Sequence, residues 1–289
     1  MAGRVAVFLL TATLAAPPSL RAQEASWDSV GRILGATDVH AAGYHRYNLP
    51  RRDLTLRLGD VTVAPALALG AWAGFSGMPE DATTMGDLVL TSSEVRPVLA
   101  QLARERIEVT AVHNHLVGEQ PQLTYVHFHG QGNAVALARR LDRVIALTST
   151  PRPVQSAPSP PLTIDTGAVF TALGHSGKAQ GAVAQLSFVL VPDTVTLNGR
   201  PVTPALGYGS PINVQMVDAS HAVATGDFAV RGPKVPALLT ALAENGITAT
   251  AVHSHLIDES PRLYYIHFWA NGPFADVLRG LKGALDAVR

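Results

Sequence analysis

Apolar positions recur at helical spacing in two stretches of the first half of the chain: Val95, Val98, Leu99 and Leu102 behind Ser92-Ser93, and Val135, Leu137 and Leu141 behind Asn133. The polar residues ahead of each stretch can cap a helix. Between them the pattern changes to two strand-like runs, Ile107 to His115 and Leu123 to His129, joined by the turn-like GEQPQ at 118–122. Upstream, LTLRLGDVTV after Asp53 reads as hairpin strands turning at Gly59-Asp60. The spacing therefore predicts a β-hairpin-rich half followed by a β-α-β-β-α half, the element order of a ferredoxin-like layer.

The same pattern returns further along. GDLVL at Gly86 matches GDFAV at Gly226, TAVHNHL at Thr110 matches TAVHSHL at Thr250, and YVHF at Tyr125 matches YIHF at Tyr265, with no gap between the matches. Upstream, PALALG at Pro65 answers PALGYG at Pro204, each behind a turn. The repeating unit is about 130 residues. The fold class expected is thus α+β, a tandem duplication of one module. STPRPVQSAPSPP, residues 149–161, is rich in the Pro and Ser that fit neither a sheet interior nor a helix and reads as the linker.

The first residues place Arg4 before an apolar run from Val5 to Ala16, followed by Pro17-Pro18 and small residues near Ala22-Gln23. This is the pattern of a secretory signal peptide, and the run is too short for the ~20 residues that span a bilayer. The organisation expected is a signal peptide over 1–23, a first module over 24–148, the linker over 149–161 and a second module over 162–289, with a periplasmic or extracellular product. No later segment reads as a membrane span.

Composition narrows the chemistry. The 289 residues are 47% hydrophobic and 15% charged, with Lys plus Arg equal to Asp plus Glu, so no general field draws the protein to nucleic acid. There is no cysteine, which removes disulfides, thiolate nucleophiles, Cys-bound zinc and a lipid anchor on a cleavage-site Cys. Any metal must be held by His, Asp or Glu. No G-x-S-x-G elbow surrounds Ser76, Ser210 or Ser254, and LGHSGKAQG near Gly174 lacks phosphate-loop spacing.

Seven of the eleven histidines fall in the two repeated hairpins. In a strand, residues i and i+2 share a face, so His113 and His115 point one way, as do His127 and His129 on the neighbouring strand. Four imidazoles on strands ~4.8 Å apart can reach one ion at ~2.0 to 2.1 Å from each nitrogen. The second copy keeps His253, His255 and His267 but has Trp269 where the first has His129. Three histidines leave an open coordination position, whereas four can close a structural site. The competing reading is a hydrogen-bonded His and Tyr network using Tyr125 and Tyr265. Glu119 and Glu259, in matching loops, read as general base, further ligand or solvated turn residue; Asp87 and Asp227 as strand-end caps or functional groups. Arg262 has Gln122 in its place in the first copy. His40, His45, His175 and His221 are scattered and read as surface or packing residues.

At AVHNHLVGEQPQLTYVHFHGQG and AVHSHLIDESPRLYYIHFWANG, with MGDLVLT and TGDFAV upstream, the chain resembles the LppY/LpqO family, a domain of unknown function, over nearly the whole mature length. The resemblance implies a two-copy layout and export, and marks His113, His115 and His127 with His253, His255 and His267; it implies no reaction. Gln122, Ser254 and Asn271-Gly272-Pro273 depart from the family pattern.

The leading expectation is an exported protein binding a divalent metal, zinc first. Its ligands would be His253, His255 and His267, with Glu259 as base and the first-copy set as a second site, supporting a hydrolase or lyase through a polarised substrate oxygen or an activated water. The alternative is a non-catalytic envelope protein that binds a small molecule or an envelope component, with structural histidines.

Overall fold

The computed structural model describes residues 18–41, 43–154 and 164–289. Residues 1–17 of the expected signal peptide and 155–161 of the expected linker lie outside them.

Copy 1 runs α1 (Pro18–Leu34), β1 (Asp38–Ala41), β2 (Tyr44–Asn48), β3 (Leu56–Leu58), β4 (Val61–Val63), α2 (Pro65–Ala68), β5 (Trp72–Met78), β6 (Asp81–Thr91), α3 (Ser92–Arg104), β7 (Glu108–His113), β8 (Leu123–Gly132) and α4 (Ala134–Ile145). Copy 2 repeats it as α5 (Thr166–Leu173), β9 (Gly177–Gln180), β10 (Val183–Phe188), β11 (Thr196–Leu197), β12 (Arg200–Pro201), α6 (Pro204–Gly207), β13 (Ser210–Met216), β14 (His221–Arg231), α7 (Val235–Glu244), β15 (Thr248–His253), β16 (Leu263–Pro273) and α8 (Phe274–Val288). Each copy forms one antiparallel six-stranded sheet, ordered β1-β2-β5-β6-β8-β7 and β9-β10-β13-β14-β16-β15, and one small hairpin, β3-β4 or β11-β12.

The β-α-β-β-α half is present in both copies, but the preceding strands β2 and β5, or β10 and β13, continue the same sheet beyond β6 or β14. The first half of each module is thus an extension of the layer. The first helix cap falls one residue before the expected Ser92: Thr91 and Glu94 form a capping box at the head of α3. Asn133 caps α4 as expected, accepting from the Ala136 N–H at 3.1 Å.

One face of each sheet takes the helices. Val98, Leu102, Leu137 and Leu141 are fully buried in the core between α3, α4 and the first sheet, and Leu238, Leu242, Leu281 and Leu285 do the same over the second. The other two faces meet. Met85 and Trp72 of copy 1 pack with Val195, Leu206 and Tyr265 of copy 2, while Val183, Val223 and Trp269 of copy 2 join the core of copy 1. Long side chains of the second sheet hold the α2 segment of copy 1. Gln215 accepts from the Ala64 N–H and donates to Thr62 O, both at 2.8 Å; Gln185 donates to Ala66 O at 2.7 Å and Asn213 to Leu67 O at 2.9 Å. Residues following α4 also pack back: the Ser149 N–H donates to Glu94 and the Val154 N–H to Gly35 O.

Among the described residues Arg51 is the largest fully buried side chain. Its guanidinium donates to Val89 O at 2.6 Å, to Glu94 Oε2 at 2.7 Å and to both oxygens of Asp53. Burial works against the charge on Glu94, and Arg51 together with the Thr91 and Ser149 N–H groups outweighs it, holding that carboxyl below its ordinary value. Arg51→Leu strands both carboxylates, and urea denaturation is expected to show a loss of about 3–5 kcal/mol; an unchanged midpoint would remove this pair from the stabilising set.

Candidate metal centre

The central strands carry the site. In copy 1, Asp87 on β6 lies opposite His127 on β8, which lies opposite Ala111 on β7. In copy 2 the same row is Asp227, His267 and Ala251. Because side chains two apart share a face, His113 and Tyr125 fall on the side of Asp87 and His127, as do His253 and Tyr265 in their copy. Those are the two faces that meet, so the histidines of the two copies converge.

The expectation of one site per copy is therefore corrected: among the described residues the six imidazoles stand in one cluster with contributions from both. Across the copies, the His113 ring centroid lies 4.0 Å from His253, His115 lies 4.0 Å from His267, and His127 lies 3.7 Å from His255. His113, His253, His255 and His267 each offer a ligand atom within 4.8 Å of the others, an arrangement that can hold a metal ion. Where the copies touch, Thr250 donates to His115 O at 2.5 Å and Asn114 to Thr250 O at 3.2 Å.

The backbone fixes which nitrogen faces inward. A carbonyl can only accept, so His127 Nδ1–H donates to Gly86 O at 3.2 Å and His267 Nδ1–H to Gly226 O at 2.9 Å. His253 does the same with Ser254 O at 3.2 Å. The Nε2 lone pair is then the one left for the centre, the tautomer that second-sphere carbonyls select at metal sites. The repeated Gly-Asp pair belongs to this device. A Cβ on Gly86 would stand 2.4 Å from both Trp72 O and the Phe128 ring, and one on Gly226 would stand 2.1 Å from Pro211 O. Only glycine lets these strands run so close beside the histidine.

All six Nε2 atoms are buried without a hydrogen-bond partner, and so is His113 Nδ1. Tyr125 and Tyr265 do not supply one. Their hydroxyls donate to Ala68 O and Gly207 O of the short helices α2 and α6, and their rings stack on His115 at 3.4 Å and His255 at 3.7 Å. Asp87 Oδ2 is 3.6 Å from His115 Nε2 and 4.0 Å from His127 Nε2; Asp227 Oδ2 is 3.0 Å from His255 Nε2 without the angle of a hydrogen bond. Oδ1 of each aspartate is also buried and unpartnered. These carboxylates are part of the site rather than strand caps.

Burial, and then the neighbouring rings, hold His113, His115 and His255 below the ordinary imidazole value; burial also lowers His127, His253 and His267. Burial, and then Asp227, pushes Asp87 well up, and burial raises Asp227. The imidazoles are thus held in the neutral form that ligates, and a bound divalent ion would bring the two raised carboxyls back down. The metal-free protein follows a definite sign. Below 6.5, unfolded histidines take up protons that the six folded ones refuse, so stability falls with acid. The two aspartates act the other way above 3.8, by fewer groups. Metal-free protein is expected to lose unfolding free energy steadily as pH drops below 6.5, read by urea titrations at several pH values; a flat profile contradicts neutral buried imidazoles.

Three expected site residues lie elsewhere. His129 makes no ring contact with the six; its Nδ1 sits 3.1 Å from Glu108, and the ring lines a water-sized cavity with Met85 and Arg200. Glu119 and Glu259 are buried, 3% and 5% exposed, so the solvated reading is corrected. Their Oε1 atoms accept the N–H of Leu123 and Leu263, closing the loop beyond each His-x-His, and neither makes an ion pair with a histidine among the described residues. Arg262 stands 3.7 Å from its own Glu259. His45 pairs with Asp38 and stacks on Trp27, in keeping with a packing role. Arg46 was not legible as a site neighbour: its guanidinium lies over Trp72 at 3.9 Å, and burial lowers its pKa to about 10 against the influence of Tyr44 and Asp87.

Fold and site together define a two-copy α+β protein whose paired His-x-His…His motifs close on one another. The chain belongs to the family described as Domain of Unknown Function (DUF1259): the match covers residues 28–147 and 167–287, one in each copy. No curated protein matches it. Among solved structures, a double ringed trimeric shell protein from the RMM microcompartment is similar at 10% identity over 72% of this chain and 83% of its own, with a TM-score of 0.19, too slight a likeness to bear on fold or function.

Proposed function

We propose that the protein binds a divalent metal, zinc first, at one centre built jointly by its two copies, and uses it for hydrolytic or lyase chemistry outside the cytoplasm. The observation that carries the reading is the set of buried imidazole nitrogens without hydrogen-bond partners, aimed at one another across the interface between copies. A structural His and Tyr network would satisfy those atoms, because an unpaired buried polar atom costs about 1–3 kcal/mol. His113, His253, His255 and His267 are the first ion's ligands. With four histidines around it the ion would take a substrate oxygen or a water only as a fifth ligand, and its chemistry would be to polarise that oxygen or lower the pKa of that water. Asp227 is the better-placed base than Glu259, since it stands beside His255 and His267 and Glu259 pairs with no histidine among the described residues. Glu119 and Glu259 serve loop closure. The apolar run at 5–16 supports export, and no helix among the described residues is long and apolar enough to cross a membrane.

Plasma mass spectrometry on tag-free protein purified without chelators, beside a His253→Ala/His255→Ala variant, tests the reading. Near-stoichiometric metal that falls in the variant supports it. No metal, and no uptake of zinc, manganese, copper or iron by folded protein, overturns it.

A further inference from the structure

Once the four mutually close histidines hold an ion, donors remain that this ion does not use. His115 and His127 keep buried, unpartnered Nε2 atoms, and Asp87 keeps a buried, unpartnered Oδ1. Asp87 Oδ2 lies 3.6 Å from His115 Nε2 and 4.0 Å from His127 Nε2. Those gaps are too long for hydrogen bonds. They are close to the roughly 3.4 Å between two ligands of a tetrahedral ion bonded at ~2.0 to 2.1 Å.

His113 is the joint between the two sets. Its ring lies within 5.1 Å of His115, His127, His253 and His267 and is the one member of the cluster with both nitrogens buried and unpartnered. A single ion takes one nitrogen and leaves the other stranded. The repeat also places Asp87 and the His113, His115 and His127 set where Asp227 and the His253, His255 and His267 set stand in the other copy.

We propose that the centre is dinuclear: a second divalent ion binds on the copy 1 side to His115, His127, Asp87 and the second nitrogen of His113, which bridges the two ions. Those are four donors, the number a tetrahedral ion takes. For His113 to bond both ions, its ring proton passes to solvent as the second ion binds, leaving an imidazolate between two cations. This rests on the metal-binding reading above. Paired ions ~3.5–4 Å apart clamp both the attacking and the leaving oxygen of a displacement; ions bridged by an imidazole ring stand further apart, and with four protein donors each would take substrate oxygen or water only as a fifth ligand.

The test is titration of metal-free, full-length protein with Co2+, followed by visible absorption and by metal content after desalting. The expected break is at two equivalents, falling to one in a His115→Ala/His127→Ala variant and, where that variant does not fold, in Asp87→Asn. A break at one equivalent in the unsubstituted protein, unchanged in the variants, overturns the second ion and leaves the first. No binding at all overturns both.

Discussion

Residues 24–148 and 162–289, expressed apart, are expected to yield two insoluble or non-cooperatively folded chains that bind no metal tightly, and to recover a folded, metal-binding species when co-expressed. Each half would expose the face that the other covers. Val183, Val223 and Trp269 of copy 2 complete the core of copy 1, and Met85 and Trp72 return the contact. Gln185, Asn213 and Gln215 would lose the backbone partners in residues 62–67 that satisfy them. Loss of that much buried apolar surface is large against a net stability of roughly 5–15 kcal/mol. Size-exclusion chromatography and thermal denaturation give the answer. Two well-folded independent halves would contradict the interlocked cores.

Metal is the second large lever on stability. A ligand that binds only the folded chain at about 1,000 times its Kd adds roughly 4 kcal/mol. For a protein of this size each kcal/mol moves Tm by about 2–4 °C, so zinc is expected to raise Tm on the order of 10 °C and a chelator to reverse it. The gain is amplified here because the metal-free centre buries unpartnered imidazoles and raised carboxylates together. A Tm indifferent to zinc and chelator would return the histidines to a structural role.

Much of this was legible in the chain. The gapless matches from Gly86 to Phe128 and from Gly226 to Phe268 announced the duplication, the spacing of Val95 to Leu102 gave α3, and period-2 placement put His113 on the face of His127 and His253 on that of His267, whereas β7 and β15 end at His113 and His253, so His115 and His255 stand in the bends beyond the strands. What periodicity cannot carry is which faces of two modules meet. Nothing local in His-x-His distinguishes a site closed within one hairpin from one closed across copies, and that is why two sites were expected where one cluster stands. His129 went the same way: it shares a face with His127, but a strand rises ~3.3 Å per residue, which carries it away from the centre toward Glu108. Glu119 and Glu259 looked exposed because they stand in Pro-containing turns; each turn bends the carboxylate back to its own backbone. The aspartates were visible beside their glycines, and the signal for their role was the register that sets Asp87 against His127 and Asp227 against His267.

The most direct test of a centre shared between copies is metal affinity in His113→Ala compared with His129→Ala, by competition with a chelating dye. Second-sphere changes cost about 10–100-fold, so removing His113, a ligand to an ion otherwise held by copy 2, is expected to cost more than that. His129→Ala should leave affinity within a few-fold of the unsubstituted protein. Tight binding in His113→Ala, or a loss confined to His129→Ala, would contradict a centre built by both copies.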